Sequence, residues 1–305
     1  MKRAVFALLA ACALAAPAPA RAIVVVEETW RAQGGAELHW EQGFARHEAL
    51  AAEPQFRAMV SLSQDGGESF GVASGVWIGN DSAHGYILTA AHVLDHANAK
   101  ETLARTTGGA ILHGVRAWVH PRWLAASERA GGFDFAILQV DARITDSGTQ
   151  PTLYSGDREA GHRCVLVGYG LRGVAPFGHG ERFGRDHGMR AAAAENVVDR
   201  VTPMALDAPR HEGWGNVLSI DLDQPNGPGK NRFGAVAPVS ALEGVLAPGD
   251  SGGSLWMRFA GGWRIVGVNS SGDPGADYQD ISNFARVSQE RGWIALVFPG
   301  ARFAP

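Results

Sequence analysis

The stretch Ala247-Pro248-Gly249-Asp250-Ser251-Gly252-Gly253-Ser254-Leu255 sets a serine among three glycines, behind an aspartate and ahead of an apolar run. Glycines let the backbone turn tightly and bring its N–H groups close to a bound group. Acyl transfer needs such a place: an exposed hydroxyl, with N–H donors aimed where the oxyanion forms. A plain Gly/Ser turn between strands has the same composition, so the stretch alone does not decide.

A serine nucleophile needs a histidine base, usually oriented by a carboxylate. The stretch also fits Gly-x-Ser-x-Gly, the α/β-hydrolase nucleophile turn, in which the acid and the histidine follow the serine. No histidine follows Ser251, and the last in the chain is His211. The base must therefore lie upstream. His92, in Leu88-Thr89-Ala90-Ala91-His92, stands where an apolar strand (Tyr86 to Thr89) passes into a helical turn. Such a junction holds a side chain rigidly at a cleft edge. The orienting carboxylate is read at Asp134, in Gly132-Phe133-Asp134-Phe135-Ala136-Ile137-Leu138. An aspartate in an apolar strand is costly to bury unless paired and hydrogen-bonded. A strand end that reaches water is the plainer reading. Asp146, Asp157 and Asp186 lie in polar surroundings instead.

Metal chemistry is poorly supported. His96 follows His92 by one helical turn, but Val93 occupies the glutamate position of His-Glu-x-x-His, so a solvated His96 is expected. Asp221 to Gly227 resembles a calcium loop only loosely. Its glycine is one place late, and Arg232 stands where the bidentate glutamate belongs. A turn is expected there, and neither a metal nor a cofactor is.

The elements that must position these groups read as strands. Forty glycines recur between short apolar runs, which favours an all-β chain. Strands are expected over Phe56 to Leu62, Phe70 to Ile78, Tyr86 to Thr89, Ile111 to Val119, Arg163 to Tyr169, 253–259 and 263–269. A terminal helix is expected over Val287 to Phe298. Residues 171–215 read mainly as long surface loops, and nothing repeats. With 305 residues, 46% hydrophobic, the chain can form one large domain or two smaller ones. A net charge of -4 gives no basic footprint for nucleic acid.

The chain opens like a secretory signal. Lys2 and Arg3 precede an apolar run, Ala4 to Ala16, and Ala20-Arg21-Ala22 offers a cleavage site that would leave Ile23 first. An exported protein, secreted or periplasmic, follows. Leu9-Ala10-Ala11-Cys12 is the rival reading, a lipid anchor through Cys12. No other segment approaches the roughly 18 apolar residues of a membrane span. Cys164, in an apolar run, is then the only cysteine of the mature chain. It reads as a core thiol, with no internal disulfide.

Leu88 to His92, Asp134 to Leu138 and Gly249 to Gly253 occur in the order His, Asp, Ser. With Met59-Val60-Ser61-Leu62, Phe284-Ala285-Arg286-Val287-Ser288 and Trp293-Ile294, the chain closely resembles the chymotrypsin/trypsin-like serine peptidases over residues 47–297. The resemblance implies an all-β fold of two antiparallel six-stranded barrels with a C-terminal helix and the active site between them. It divides the chain into a signal peptide (1–22), an N-terminal extension or pro-segment (23–46), a first barrel (47–150) and a second with long loops (151–305). It assigns Ser251 as nucleophile, His92 as base and then acid, and Asp134 as orienter. The N–H groups of Gly249 and Ser251 become the oxyanion hole. Ser270-Ser271-Gly272 becomes the strand that pairs with a polypeptide substrate. The base and wall of the primary pocket fall to Val245, Ser270 and Ser282. None of these is acidic, which implies a small or apolar residue before the scissile bond. Three features depart from the family: no Ile-Val-Gly-Gly near Ala45 to Glu48, none of the disulfides of animal members, and extra length between Asp134 and Ser251. They suit a secreted bacterial member and leave the activation route open. The alternative is an inactive, peptidase-like binding or adhesion module.

Overall fold

The computed structural model describes residues 23–125, 131–183, 189–202, 216–225, 231–235 and 237–305. The leader with Cys12, and Asp186, lie outside the described residues.

Strand β1 (Val24–Val26) leads into helix α1 (Glu27–Ala32), and helix α2 (Ala45–Ala51) carries the chain to the first barrel. That barrel is built from β2 (Met59–Ser63), β3 (Ala73–Asn80), β4 (Gly85–Thr89), β5 (Leu103–Thr106), β6 (Ile111–Val119) and β7 (Ala136–Val140). The six close in the order β2-β3-β4-β7-β6-β5, all through antiparallel pairs. Closure leaves no edge strand, and the inward residues fill the interior. Val60, Val76, Ile87, Leu88 and Leu138 have essentially no exposure. The short helix α3 (Ala91–Leu94) springs from the end of β4, as the apolar strand before His92 predicts.

The second half forms around β9 (Arg163–Gly168), after the short β8 (Thr152–Tyr154). Next come β10 (Gly173–Ala175), β11 (Gly178–His179), β12 (Ala192–Val197), β13 (Arg200–Thr202), β14 (Val217–Asp221) and β15 (Gly244–Val245). The chain then runs through β16 (Ser254–Phe259), β17 (Gly262–Gly272) and β18 (Ile281–Arg286). It ends in a helix over Arg291–Val297 and the strand β19 (Arg302–Ala304). The order β12-β9-β16-β17-β18-β14-β13 makes an open half-barrel beside the closed one, in keeping with a chymotrypsin-like double barrel. A T-shaped contact of Phe56 with Trp256, at 5.5 Å, lies within the hydrophobic core that the two halves share.

The structure differs from the sequence reading in three places. Residues 171–215, read as surface loops, hold β10 to β13. β12 pairs with β9 along its whole length, and Ala192, Ala193 and Ala194 are fully buried. A run of alanines has little strand preference of its own, so its pairing comes from the neighbouring strand. The antiparallel rule is also incomplete, since β1–β10, β8–β17 and β8–β19 pair in parallel. Finally, the segment 23–46 is built into the second half. β1 lies between β10 and β15, and Ile23 to Val26 are buried. Trp30 stacks on Trp40 at 5.4 Å. Removing this segment would take β1 out of its sheet.

Candidate active site

Asp134 sits just ahead of β7 with 1% of its surface exposed, and both oxygens of its carboxylate are engaged. Oδ1 accepts the backbone N–H of His92 at 2.9 Å, and Oδ2 lies 2.7 Å from His92 Nδ1. Ser270 Oγ donates to the same Oδ2 at 2.7 Å. A buried carboxylate with three such contacts is held in one orientation. The strand-end alternative, with Asp134 reaching water, does not hold. The imidazole is held from below, and about a third of it is exposed. Burial pushes its pKa down, but the hydrogen bond and charge of Asp134, with Asp95 beyond, outweigh it and hold the group above 6.5. With Nδ1–H donated to Asp134, Nε2 is the basic nitrogen left facing the cleft.

The serine turn is pressed against the strand end that carries His92. Gly252 has φ +80°, and a Cβ there would stand 1.9 Å from Thr89 Oγ1 and 2.3 Å from the Ser74 carbonyl. Only glycine permits that approach, which sets Ser251 beside the start of α3. Ser74 on β3 reinforces the junction. Its N–H donates to the Ser251 carbonyl at 2.8 Å, and its hydroxyl donates to the Gly249 carbonyl at 3.0 Å. Its Oγ also accepts the Tyr169 N–H at 2.9 Å. One small side chain of the first barrel thus binds two loops of the second. Gly249 turns at φ +91°, and Ser251 is half-buried. The N–H groups of Gly249 and Ser251 have no hydrogen-bond partner among the described residues. Two unpaired amides in adjoining turns suit an oxyanion.

Asp250 points away from the cleft into the core. Its Oδ2 accepts the N–H groups of Ile23 at 3.0 Å and Ala247 at 2.9 Å, and Oδ1 accepts that of Gly170 at 2.9 Å. Burial pushes its pKa up to about 6, against the pull of these three amides.

The pocket residues divide. Val245 (1% exposed) and Ser282 (1%) are buried, with the Leu246 N–H on Ser282 Oγ at 2.9 Å. Ser271 and Gly272 are exposed on β17. β17 pairs with β18 to its end, but its pairing with β16 stops at Val268, so among the described residues one edge of Ser270 to Gly272 carries no strand and suits an added one. Ser270, expected as a pocket wall, turns its hydroxyl to Asp134 instead. His96 has a side chain 76% exposed, 3.7 Å from Asp95. Cys164 is buried, and burial pushes its thiol far up, away from reactivity.

Ser74 escaped the sequence reading altogether, and Ser270 was read there with another role. Ser74 has no local signal, since it is one serine in an apolar strand. Ser270 could have been found only by asking what satisfies the second lone pairs of Asp134.

A family model described as a trypsin-like peptidase domain matches residues 73–268, a span that holds His92, Asp134 and Ser251. Among the described residues, no helix is long and apolar enough to cross a membrane.

Proposed function

Because the chain belongs to the trypsin-like peptidase family, we propose that it is an exported serine endopeptidase working through Ser251, His92 and Asp134. The observation that carries the reading is the pair of Asp134 contacts, to the His92 amide and to Nδ1. They fix the ring with Nε2 toward the cleft, the geometry of a general base. Nε2 takes the Ser251 proton as Oγ attacks the scissile carbonyl. The amides of Gly249 and Ser251 receive the oxyanion, and the imidazolium then protonates the leaving amine. Water repeats the sequence on the acyl-enzyme. Val245 and Ser282 bring no charge to the pocket, so the residue before the scissile bond is small or apolar. Export rests on the leader ending at Ala22, and the substrate is polypeptide.

An inactive binding module is the competing reading. It is disfavoured by the retention of all three side chains together with Gly249 and two unpaired amides. Labelling of the purified protein with a fluorophosphonate decides between them. The expected result is a covalent adduct on Ser251 that Ser251→Ala abolishes. A folded parent that takes no label would overturn the peptidase reading.

A further inference from the structure

Beside His92 lies a cleft of about 290 Å³ lined by Gln64, His92, His96, Asn98 and Glu101, with Val93, Ala97 and Thr102 and with no residue of β17. It belongs to the reaction path by position. The acyl half of a substrate lies on the β17 side, where Ser270 meets Asp134. The leaving half must then depart across the other face of the imidazole that protonates it, and this cleft begins at that ring.

The lining is polar and its shape is held. Gln64 Nε2 donates to the Val93 carbonyl, which anchors one wall to α3. Asn98 and Glu101 flank the short helical turn Ala99–Glu101, where Asn98 Oδ1 accepts the Lys100 N–H at 3.1 Å. Asn98 Nδ2 donates to Glu101 Oε1 at 3.0 Å and fixes that carboxylate at the cleft edge. Glu101 is the one carboxylate among the lining residues. Next to the lining residue His96, at 3.7 Å, the side chain of Asp95 is buried and accepts the Trp123 Nε1–H at 3.1 Å, while its charge reaches His92. Both fixed carboxylates set the same sign of potential there.

We propose that Glu101 is a specificity-determining residue that favours lysine or arginine among the first three residues after the scissile bond. This rests on the peptidase reading, and it reverses the selectivity of the acyl side. A cation meets no carboxylate at Val245, Ser270 or Ser282, the positions assigned to the pocket before the bond, yet meets one at Glu101 after it.

The test is a series of fluorescence-quenched peptides with one acyl half, ending in alanine or valine, and with Lys, Gln or Glu placed in turn at each of those three positions. At low salt the parent should cleave the best Lys peptide faster than its Glu counterpart by about 1.5- to fivefold in kcat/KM, the range for exposed charge pairs. Raising the ionic strength should shrink the ratio. Glu101→Gln should flatten it and Glu101→Lys should invert it, with circular dichroism confirming each fold. A Lys-to-Glu ratio that Glu101→Gln leaves unchanged overturns the assignment while the peptidase reading stands. A folded parent that cleaves no peptide and takes no fluorophosphonate overturns both.

Discussion

The backbone nitrogen of Ile23 donates to Asp250 Oδ2 at 3.0 Å across 227 positions of sequence, with both residues fully buried. Ile23 holds φ +58°, a strained value for a β-branched residue. Next to it, β1 pairs Val24 with Val245, the position proposed for the base of the primary pocket. The chain start, Val245 and the serine turn are therefore one packed unit.

Cutting the Ala22–Ile23 bond would turn that amide into an ammonium, giving Asp250 a counter-charge and freeing the strained torsion. The protein recovered after export should begin at Ile23 by N-terminal sequencing and retain residues 23–46. A form carrying extra residues before Ile23 should be the less active and less stable. In that uncut form the folded pKa of Asp250 is raised, from 3.8 to about 6. Its contribution should be present below about pH 4 and lost as pH climbs through 6. Melting temperatures of cut and extended forms, followed from pH 4 to 7, should diverge over that window. Parallel curves would show that the new amine does not reach Asp250.

Peptide hydrolysis should rise with pH as the imidazolium of His92 deprotonates, with a midpoint above 6.5. Asp134→Asn should lower that midpoint and cost on the order of 10⁴ in turnover. Ser251→Ala and His92→Ala should each cost several orders of magnitude, and the double variant little more, because the groups act as a unit. Ser270→Ala leaves one Asp134 lone pair unfilled. It should lower kcat by roughly tenfold and move the pH midpoint, whereas a residue that merely packs would leave the midpoint in place. His96→Ala should keep turnover within roughly tenfold of the parent.

Cleavage of a peptide library should concentrate on small or apolar residues before the bond. Val245→Asp should bring in cleavage after Arg and Lys, at some cost in stability from the buried carboxylate. A parent profile dominated by Arg or Lys would mean that a different residue lies at the pocket base.

Asp199, Asp223 and Glu243 lie near Asp221. Burial and mutual repulsion push the first two up to about 7 and Glu243 up to about 8. Glu243 accepts the N–H groups of Asp223 at 2.7 Å and of Val239, and Asp223 Oδ1 is buried without a partner among the described residues. Raised carboxylates contribute stability that is complete below about pH 4 and lost as pH climbs through 7 to 8. Asp223→Asn should therefore raise the melting temperature at pH 8 by about 2–4 °C and change it little at pH 4. An equal shift at both pH values would place the gain elsewhere.

The sequence by itself determined the family and the candidate triad, because both are matters of residue types, their order and local setting. Ser251 among glycines, His92 at a strand's end and Asp134 before an apolar strand are each legible within a few residues. The long strands were legible for the same reason, as their apolar runs announce burial. Only the tertiary structure decided what satisfies each buried polar group. That Ser74 binds the serine turn, that Ser270 serves Asp134 and that Ile23 reaches Asp250 depend on partners 95 to 227 residues away. No local pattern records them. The short strands β10 to β13 were hidden likewise, since their ladders exist only once a distant neighbour offers its edge.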